Sequence, residues 1–256
     1  MPLATELRER FNIHPDPGAA VIALAGNPNT GKSTIFNALT GLKQHTGNWP
    51  GKTVLQTQGT FHFGGKKYIL VDLPGTYSLL ANSAEEIVTR DFLCFARPDA
   101  TVVVTDATCL ERNLNLALQV MEITSKVIVC VNFIDEARRK NIFIDVDCLA
   151  RELGVPVVVT AARNGLGLTE LKAGIDALAR GQIVTSPRRL IYDPDIEEAV
   201  ARLEEKIPGE IKEWINARWL ALRIIDHDRS TLDNIRQYFK VPEWGVLRER
   251  YKYCPT

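Results

Sequence analysis

No stretch of this chain approaches the ~18 consecutive apolar residues that cross a bilayer. The best runs, Val21–Ala25, Thr101–Val104 and Val127–Val131, have the length of strands. Met1–Gly18 is charged throughout and lacks the apolar core of a signal peptide. An excess of one charge sign is missing too: 31 Lys and Arg balance 31 Asp and Glu, which argues against holding nucleic acid by bulk electrostatics. Cysteine pairing is absent from the pattern. Cys94, Cys109, Cys130, Cys148 and Cys254 are odd in number, scattered and without a C-x-x-C pair. They read as reduced thiols, neither a disulfide framework nor a zinc site. No internal repeat or low-complexity tract occurs, and a 45% hydrophobic, 24% charged composition excludes wholesale disorder. At roughly 150 residues per domain, 256 residues suggest one large domain or one domain with an appendage. Composition alone describes a soluble intracellular protein.

What is present is alternation. Met1–Gly18 reads as a short charged extension with a turn or two of helix around Leu3, Leu7 and Phe11, ended by Pro15, Pro17 and Gly18. Strands are predicted at Val21–Ala25, Thr53–Phe63, Tyr68–Val71, Thr101–Thr105, Val127–Val131 and Val155–Val159. Helices are predicted near Lys32–Thr40, Glu85–Ala96, Leu110–Ile123, Asp145–Leu153 and Leu168–Ala179. Ser83 and Glu86 make a capping-box pattern ahead of the second helix. Strands separated by helical stretches indicate βαβ units, hence a mostly parallel, six-stranded α/β sheet covered on both faces. Gly64-Gly65 suggests a hairpin and one antiparallel edge strand.

After Gly181 strand signals stop, which divides the chain into an extension (1–18), an α/β domain (19–181) and a small all-helical domain (182–256). Asp193-Pro194 places an N-cap before a first-turn proline, followed by Ile196, Ala199, Val200 and Leu203 at helical spacing. Beyond Pro208-Gly209, Ile211, Ile215, Trp219, Leu222 and Ile225 mark a second helix, and Ser230 opens a third.

Chemistry concentrates at the predicted strand ends. Gly26-Asn27-Pro28-Asn29-Thr30-Gly31-Lys32-Ser33 fits G-x-x-x-x-G-K-[ST] between a strand and a helix, the context of a phosphate loop. Its N–H groups and those of the helix start, through Thr34, would face anionic oxygens; Lys32 would reach the β- and γ-phosphates and Ser33 would ligate Mg²⁺. Asp72-Leu73-Pro74-Gly75 follows another strand, 40 residues after Lys32. By itself it is a turn; in that place Asp72 can hold Mg²⁺ through a water, and the Gly75 N–H can bind the γ-phosphate. Asn132-Phe133-Ile134-Asp135 ends a third strand, where a carboxylate can accept two hydrogen bonds from guanine that adenine cannot supply. Thr160-Ala161-Ala162 ends the last strand and could offer a backbone N–H to the guanine O6. Each piece is weak alone. All four in order, at strand ends, point to GTP and GDP as ligands.

With these residues the chain resembles the P-loop GTPases of the small-G-protein (Ras-like) type and, among them, the amino-terminal G domain of the ferrous iron transport protein B (FeoB) family. The narrower resemblance rests on the phosphate loop as spelled, Gly47-Asn-Trp-Pro-Gly51 with Thr53-Val54, Leu73–Leu79, Asp106–Leu114 and Asp135-Glu-Ala137. It covers roughly Val21 to Arg180, and the tail fits the family's helical domain in position and character.

The resemblance implies that Thr53 is the first-switch threonine, joining the Mg²⁺ shell with GTP bound. It also implies that Asn29 is the K⁺-ligating asparagine of potassium-stimulated members; the bland alternative for Asn29 is a turn residue. Lys32, Asn29, Thr53 and Gly75 are then the catalytic set. The family's helical segment is associated with slower GDP release. The resemblance further implies a cytoplasmic face of a bacterial inner membrane and a membrane permease domain in the same polypeptide, this chain being cut before the first span. It leaves room for small accessory iron-uptake proteins and a homo-oligomer, and calls for no nucleic acid. Fe²⁺ as cargo comes from the family alone.

Two departures stand out: Phe133 occupies a position where Lys or Met is usual, and Thr76-Tyr77 supplies no glutamine for the attacking water, so hydrolysis should be slow. His14, His45, His62 and His227 have no metal spacing and read as surface residues. Cys109 and Cys130 read as small core residues, and Trp214 and Trp219 as core. Trp49, in a switch-like loop, suits a reporter of nucleotide state or a partner contact. Two other readings stay open. One is a soluble K⁺-stimulated GTPase of ribosome assembly or tRNA modification, which would need a basic RNA-reading module; the other is a nucleotide-binding scaffold without hydrolysis.

Overall fold

The computed structural model describes residues 3–42, 44–80 and 83–239. These group into two units divided between Ile191 and Tyr192.

The first unit is a seven-stranded mixed sheet. Its strands are β1 (Ala20–Gly26), β2 (Gln44–Asn48), β3 (Leu55–Phe63), β4 (Lys66–Asp72), β5 (Ala100–Asp106), β6 (Val127–Asn132) and β7 (Val157–Val159), ordered β2-β3-β4-β1-β5-β6-β7. The five strands from β4 to β7 run parallel, while β3 is antiparallel to both β4 and β2. One strand more is present than the six expected. β2 reads Gln-His-Thr-Gly-Asn, and all five residues are exposed, so no apolar alternation marks it. Only its register with β3, Gln44 opposite Gly59 through Asn48 opposite Leu55, makes it a strand. The strand expected from Thr53 therefore starts at Leu55, and it is not the edge: β2 lies outside it, leaving β3 as the one strand that runs against the rest of the sheet. Gly64 and Gly65, both at positive φ, close the β3–β4 hairpin as a two-residue turn of that hand requires.

Helices α1 (Leu3–Arg10), α2 (Lys32–Thr40), α3 (Ala84–Asp91), α4 (Leu110–Ile123), α5 (Ile134–Arg139), α6 (Val146–Leu153) and α7 (Leu168–Ala179) cover the sheet. On one face Ile22 and Leu24 pack with Ile35, Phe36 and Leu39 of α2 and Leu171, Ile175 and Leu178 of α7. The predicted helix over 85–96 changes winding: α3 passes at Phe92 into a five-residue π-type stretch, Phe92–Ala96, all of it buried. Ser83 caps α3 by accepting from the Glu86 N–H, while the Glu86 carboxylate accepts from the Ser78 hydroxyl. The amino-terminal segment packs down, with Leu7, Phe11 and Ile13 buried.

The second unit holds α8 (Pro194–Lys206), α9 (Gly209–Lys212), α10 (Ala217–Ile225) and α11 (Arg229–Phe239). Val200, Leu203, Ile211, Ile215, Trp219, Leu220 and Ile235 form its core. The single helix expected over Ile211–Ile225 is two, because the Asn216 side chain accepts from the Trp219 N–H and starts a new helix. Asp193 stands at the N-cap of α8, yet its side chain makes no capping hydrogen bond; its carbonyl accepts from Ile196 and Glu197. Arg218 of α10 makes a two-pronged pair with Glu197 of α8. Trp219 is core as expected, whereas Trp214 is half-buried against Phe239.

Among the described residues no helix is long and apolar enough to cross a membrane. All four histidines are exposed, and no described His, Cys, Asp or Glu cluster could hold a metal. Cys130 is buried in β6, but Cys109 is exposed, correcting its expected core place. Cys109 sits at the start of α4, past the strand end, with its sulfur near the Asn113 amide.

Candidate nucleotide-binding site

The parallel strands bring their carboxyl ends to one edge. Leu24 stands opposite Asp72, Asp106 opposite Asn132 and Val131 opposite Val159, so the loops after β1, β4, β6 and β7 converge there. β1 is buried along its whole length and is followed by the five-residue loop 27–31 that leads into α2. A cavity of about 550 Å³ opens at this edge. Asn27, Pro28, Asn29, Gly31, Lys32, Ser33 and Thr34 of the first loop line it, together with Gly75 and Phe133.

Gly31 is the tightest point of the loop. Its φ is +81°, and a Cβ there would stand 2.3 Å from Asn132 Nδ2 and 2.9 Å from Phe133 Cζ. Gly31 is the N-cap of α2 and supplies no side-chain cap, so the first N–H groups of the helix, at the cavity wall, can donate to an anion. Within the loop Thr30 Oγ1 donates to the Asn27 carbonyl at 2.9 Å. Asn29 is exposed at φ +67°, a left-handed conformation that asparagine tolerates.

Lys32 Nζ donates to Asp72 Oδ1 at 2.5 Å, tying α2 to the end of β4. Burial raises the Asp72 carboxyl above the ordinary aspartate value, and the Lys32 ammonium offsets part of that rise. The following loop is anchored by Leu73 N–H to the Leu24 carbonyl and Thr76 N–H to the Gly26 carbonyl. Two contacts invisible in the motifs extend this anchoring to α4: Gln119 accepts from the Leu79 N–H, and Arg112 stacks over the Tyr77 ring.

At the other end Asn132, 1% exposed, is wholly engaged with the protein. Its Nδ2 donates to the Thr30 carbonyl, and its Oδ1 accepts from Thr160 Oγ1 and the Ala162 N–H, all within 3.1 Å. Asn132 thus fastens the first loop to the last two. Phe133 lies at φ +60° with its ring against Gly31. Asp135, in the first turn of α5, accepts from Asn164 Nδ2 at 3.2 Å, a partner no spacing rule would single out. The N–H groups expected to offer a donor to a base are all in use. Thr160 donates to Val131, Ala161 to Leu166 and Ala162 to Asn132.

Ser33, Thr34 and Gly75 therefore meet Lys32 and Asn29 around one cavity. Thr53 does not line it; it lies exposed in the bend before β3.

Residues 20–175 match the family described as Ferrous iron transport protein B, and residues 192–251 match the FeoB cytosolic helical domain. The chain belongs to the FeoB family. It is 38% identical over 251 residues to the Fe(2+) transporter FeoB of Methanocaldococcus jannaschii, a match covering 90% of this chain and 37% of that protein. It also resembles the solved cytosolic domain of the T. maritima FeoB iron transporter. The GDP form I aligns with TM-score 0.77 and 37% identity, the GMPPNP form with 0.78 and 38%, each covering 88% of this chain and 87% of the other. The chain spans between 27% and 37% of the length of the FeoB relatives it matches. With the tail matched to a FeoB helical domain, the ribosome-assembly or tRNA-modification reading is left without the RNA module it requires.

Proposed function

We propose that this chain binds GTP and GDP and hydrolyses GTP slowly as the cytoplasmic G-protein part of a bacterial ferrous iron transporter. Residues 1–18 are its extension, 19–181 its G domain and 182–256 its helical domain. The observation that carries the reading is the convergence of the phosphate loop, the Lys32–Asp72 pair and the Asn132–Asp135 segment on one sheet edge. Nucleotide-bound cytosolic domains in the T. maritima relative support it.

In this reading the N–H groups of the loop and the start of α2 bind phosphate oxygens. Lys32 exchanges the Asp72 carboxylate for a phosphate oxygen. Asp135 selects guanine, because its half-exposed carboxylate, once covered by a base, would face no donor pair on adenine. The donor set fits Mg²⁺: Ser33 offers a hydroxyl at the cavity wall, Asp72 an oxygen at the strand end, and Thr53 a hydroxyl once its loop moves in. Asn29 offers an amide oxygen for K⁺. Bound there, these cations would neutralise charge on the transferring phosphoryl group. The permease domain of the longer polypeptide would read the switch state, with accessory proteins or a second copy as further partners.

Asp135→Asn is expected to shift preference from GTP toward xanthosine triphosphate; unchanged competition would refute the guanine assignment. Asn29→Ala should abolish K⁺ stimulation with little change in GDP affinity. A single-turnover GTP assay in Na⁺ against K⁺ separates the enzyme from a scaffold that binds without turnover.

A further inference from the structure

Residues 3–13 lie outside both family-matched segments, yet they are tied closely to the G domain. Arg8 donates to the carbonyls of Ala96 and Arg97 and pairs with Asp99, whose carboxylate also accepts from the Val21 N–H. Gln56 and Gln58 of β3 donate to the carbonyls of Phe11 and Asn12. The arm therefore bridges β3 and the π-type stretch after α3.

Between these two elements it closes over one ring. Phe11 stands edge-on to Trp49 and to Phe92, and Trp49 edge-on to Phe92, with centroids 5.4–6.3 Å apart. Of residues 44–55, Trp49 alone is buried. Its N–H donates to the Val54 carbonyl, and its own carbonyl accepts from Lys52, closing the turn that carries Thr53. Together with the β2–β3 ladder that ends at Asn48 opposite Leu55, this indole anchors the turn where it sits, with Thr53 outside the cavity lining. The indole Nε1 is buried with no hydrogen-bond partner, a donor that would gain one on leaving. Phe92 also continues α3, whose Thr89 donates to the Pro74 carbonyl beside Gly75.

We propose that the amino-terminal arm is a latch on the first switch. Phe11 and Phe92 hold Trp49, and with it Thr53, in the withdrawn position, and γ-phosphate binding must pull Trp49 out of this pocket. Phe11 and Trp49 are thus positioning residues, acting on the nucleotide through Thr53. The proposal rests on the reading of Thr53 as the first-switch threonine of a guanine-nucleotide site.

The test uses the full chain with 5-fluorotryptophan and ¹⁹F NMR, the Trp49 resonance being assigned with Trp49→Phe. Saturating GMPPNP with Mg²⁺ is expected to move that resonance from a buried to a solvent-exposed shift, and GDP is not. Phe11→Ala should populate the exposed signal before nucleotide is added. It should raise affinity for GMPPNP relative to GDP about three- to tenfold, with GDP affinity unchanged. Phe11→Leu, which keeps apolar volume, should act in the same direction more weakly and serves if Phe11→Ala does not fold. A Trp49 signal that stays buried in the GMPPNP-saturated wild type overturns the latch, as does a GMPPNP/GDP ratio unmoved by either variant. If the wild type binds no guanine nucleotide, the functional reading falls and the latch falls with it.

Discussion

Asn132→Ala is the substitution whose cost the structure sets best. Asn132 and Asp135 belong to one short motif, but they are held differently. The Asn132 amide makes three hydrogen bonds, to the Thr30 carbonyl, Thr160 Oγ1 and the Ala162 N–H, in a place only 1% exposed. Thr160 Oγ1 keeps a second neighbour in Cys130 Sγ, so truncation leaves two backbone groups in need of partners. At about 1 kcal/mol per hydrogen bond, with part of the desolvation penalty of the orphaned groups added, the expected loss is about 3 kcal/mol. A water entering the space vacated by the amide would recover some of it. Asp135 is half-buried and accepts from Asn164 at the surface, so Asp135→Asn should stay within about 0.5 kcal/mol of wild type. Urea unfolding followed by circular dichroism, with m-values compared, measures both. A loss below about 1 kcal/mol for Asn132→Ala, or equal losses for the two variants, would refute the division of this motif into a structural asparagine and a ligand-facing aspartate.

Gly31→Ala should cost at least about 2 kcal/mol and abolish GDP binding, because the new Cβ meets Asn132 and Phe133 in a left-handed backbone; calorimetric titration with GDP checks it. An acid whose folded-state pKa is raised contributes stability that is fully present below its ordinary pKa and lost as pH rises through the raised value. The urea midpoint of wild type relative to Asp72→Asn should therefore fall across that acidic window and stay level above it; a rising difference would mean that Lys32 outweighs burial. Burial pushes the Cys94 thiol up strongly and Cys130 to about 12, so iodoacetamide at mildly alkaline pH should leave both unmodified until urea is added. Exposed Cys109 should react in the native protein, although partial desolvation and the neighbouring Asp106 raise its pKa too, as peptide mass spectrometry would show.

Much of the frame is legible without coordinates because its causes are local. The predicted bounds of the helices over 32–40, 110–123 and 168–179 coincide with α2, α4 and α7, whose apolar periodicity and punctuation lie within a few residues of each end. The buried parallel strands announce themselves as continuous β-branched runs. Where local signal and structure part, the deciding contact is distant. β2 is polar and exposed and exists only by its pairing with β3. Asn216 breaks an apolar stripe that periodicity alone would continue.

The candidate site divides in the same way. Order and spacing along the chain singled out the candidate residues: glycines in a loop between strand and helix, a lysine and serine at a helix start, carboxylates at or just past strand ends. Family membership followed from the same letters. Tertiary structure decided which of those groups are available. It spends Asn132 and the Thr160–Ala162 amides on holding loops together, pairs Lys32 with Asp72, lays the Phe133 ring on Gly31 and keeps Thr53 outside the cavity. It also turned a charged amino-terminal segment and a loop tryptophan into one buried aromatic cluster. A motif states what a side chain can donate or accept, and only the fold brings the partner from a hundred residues away that takes up the bond first.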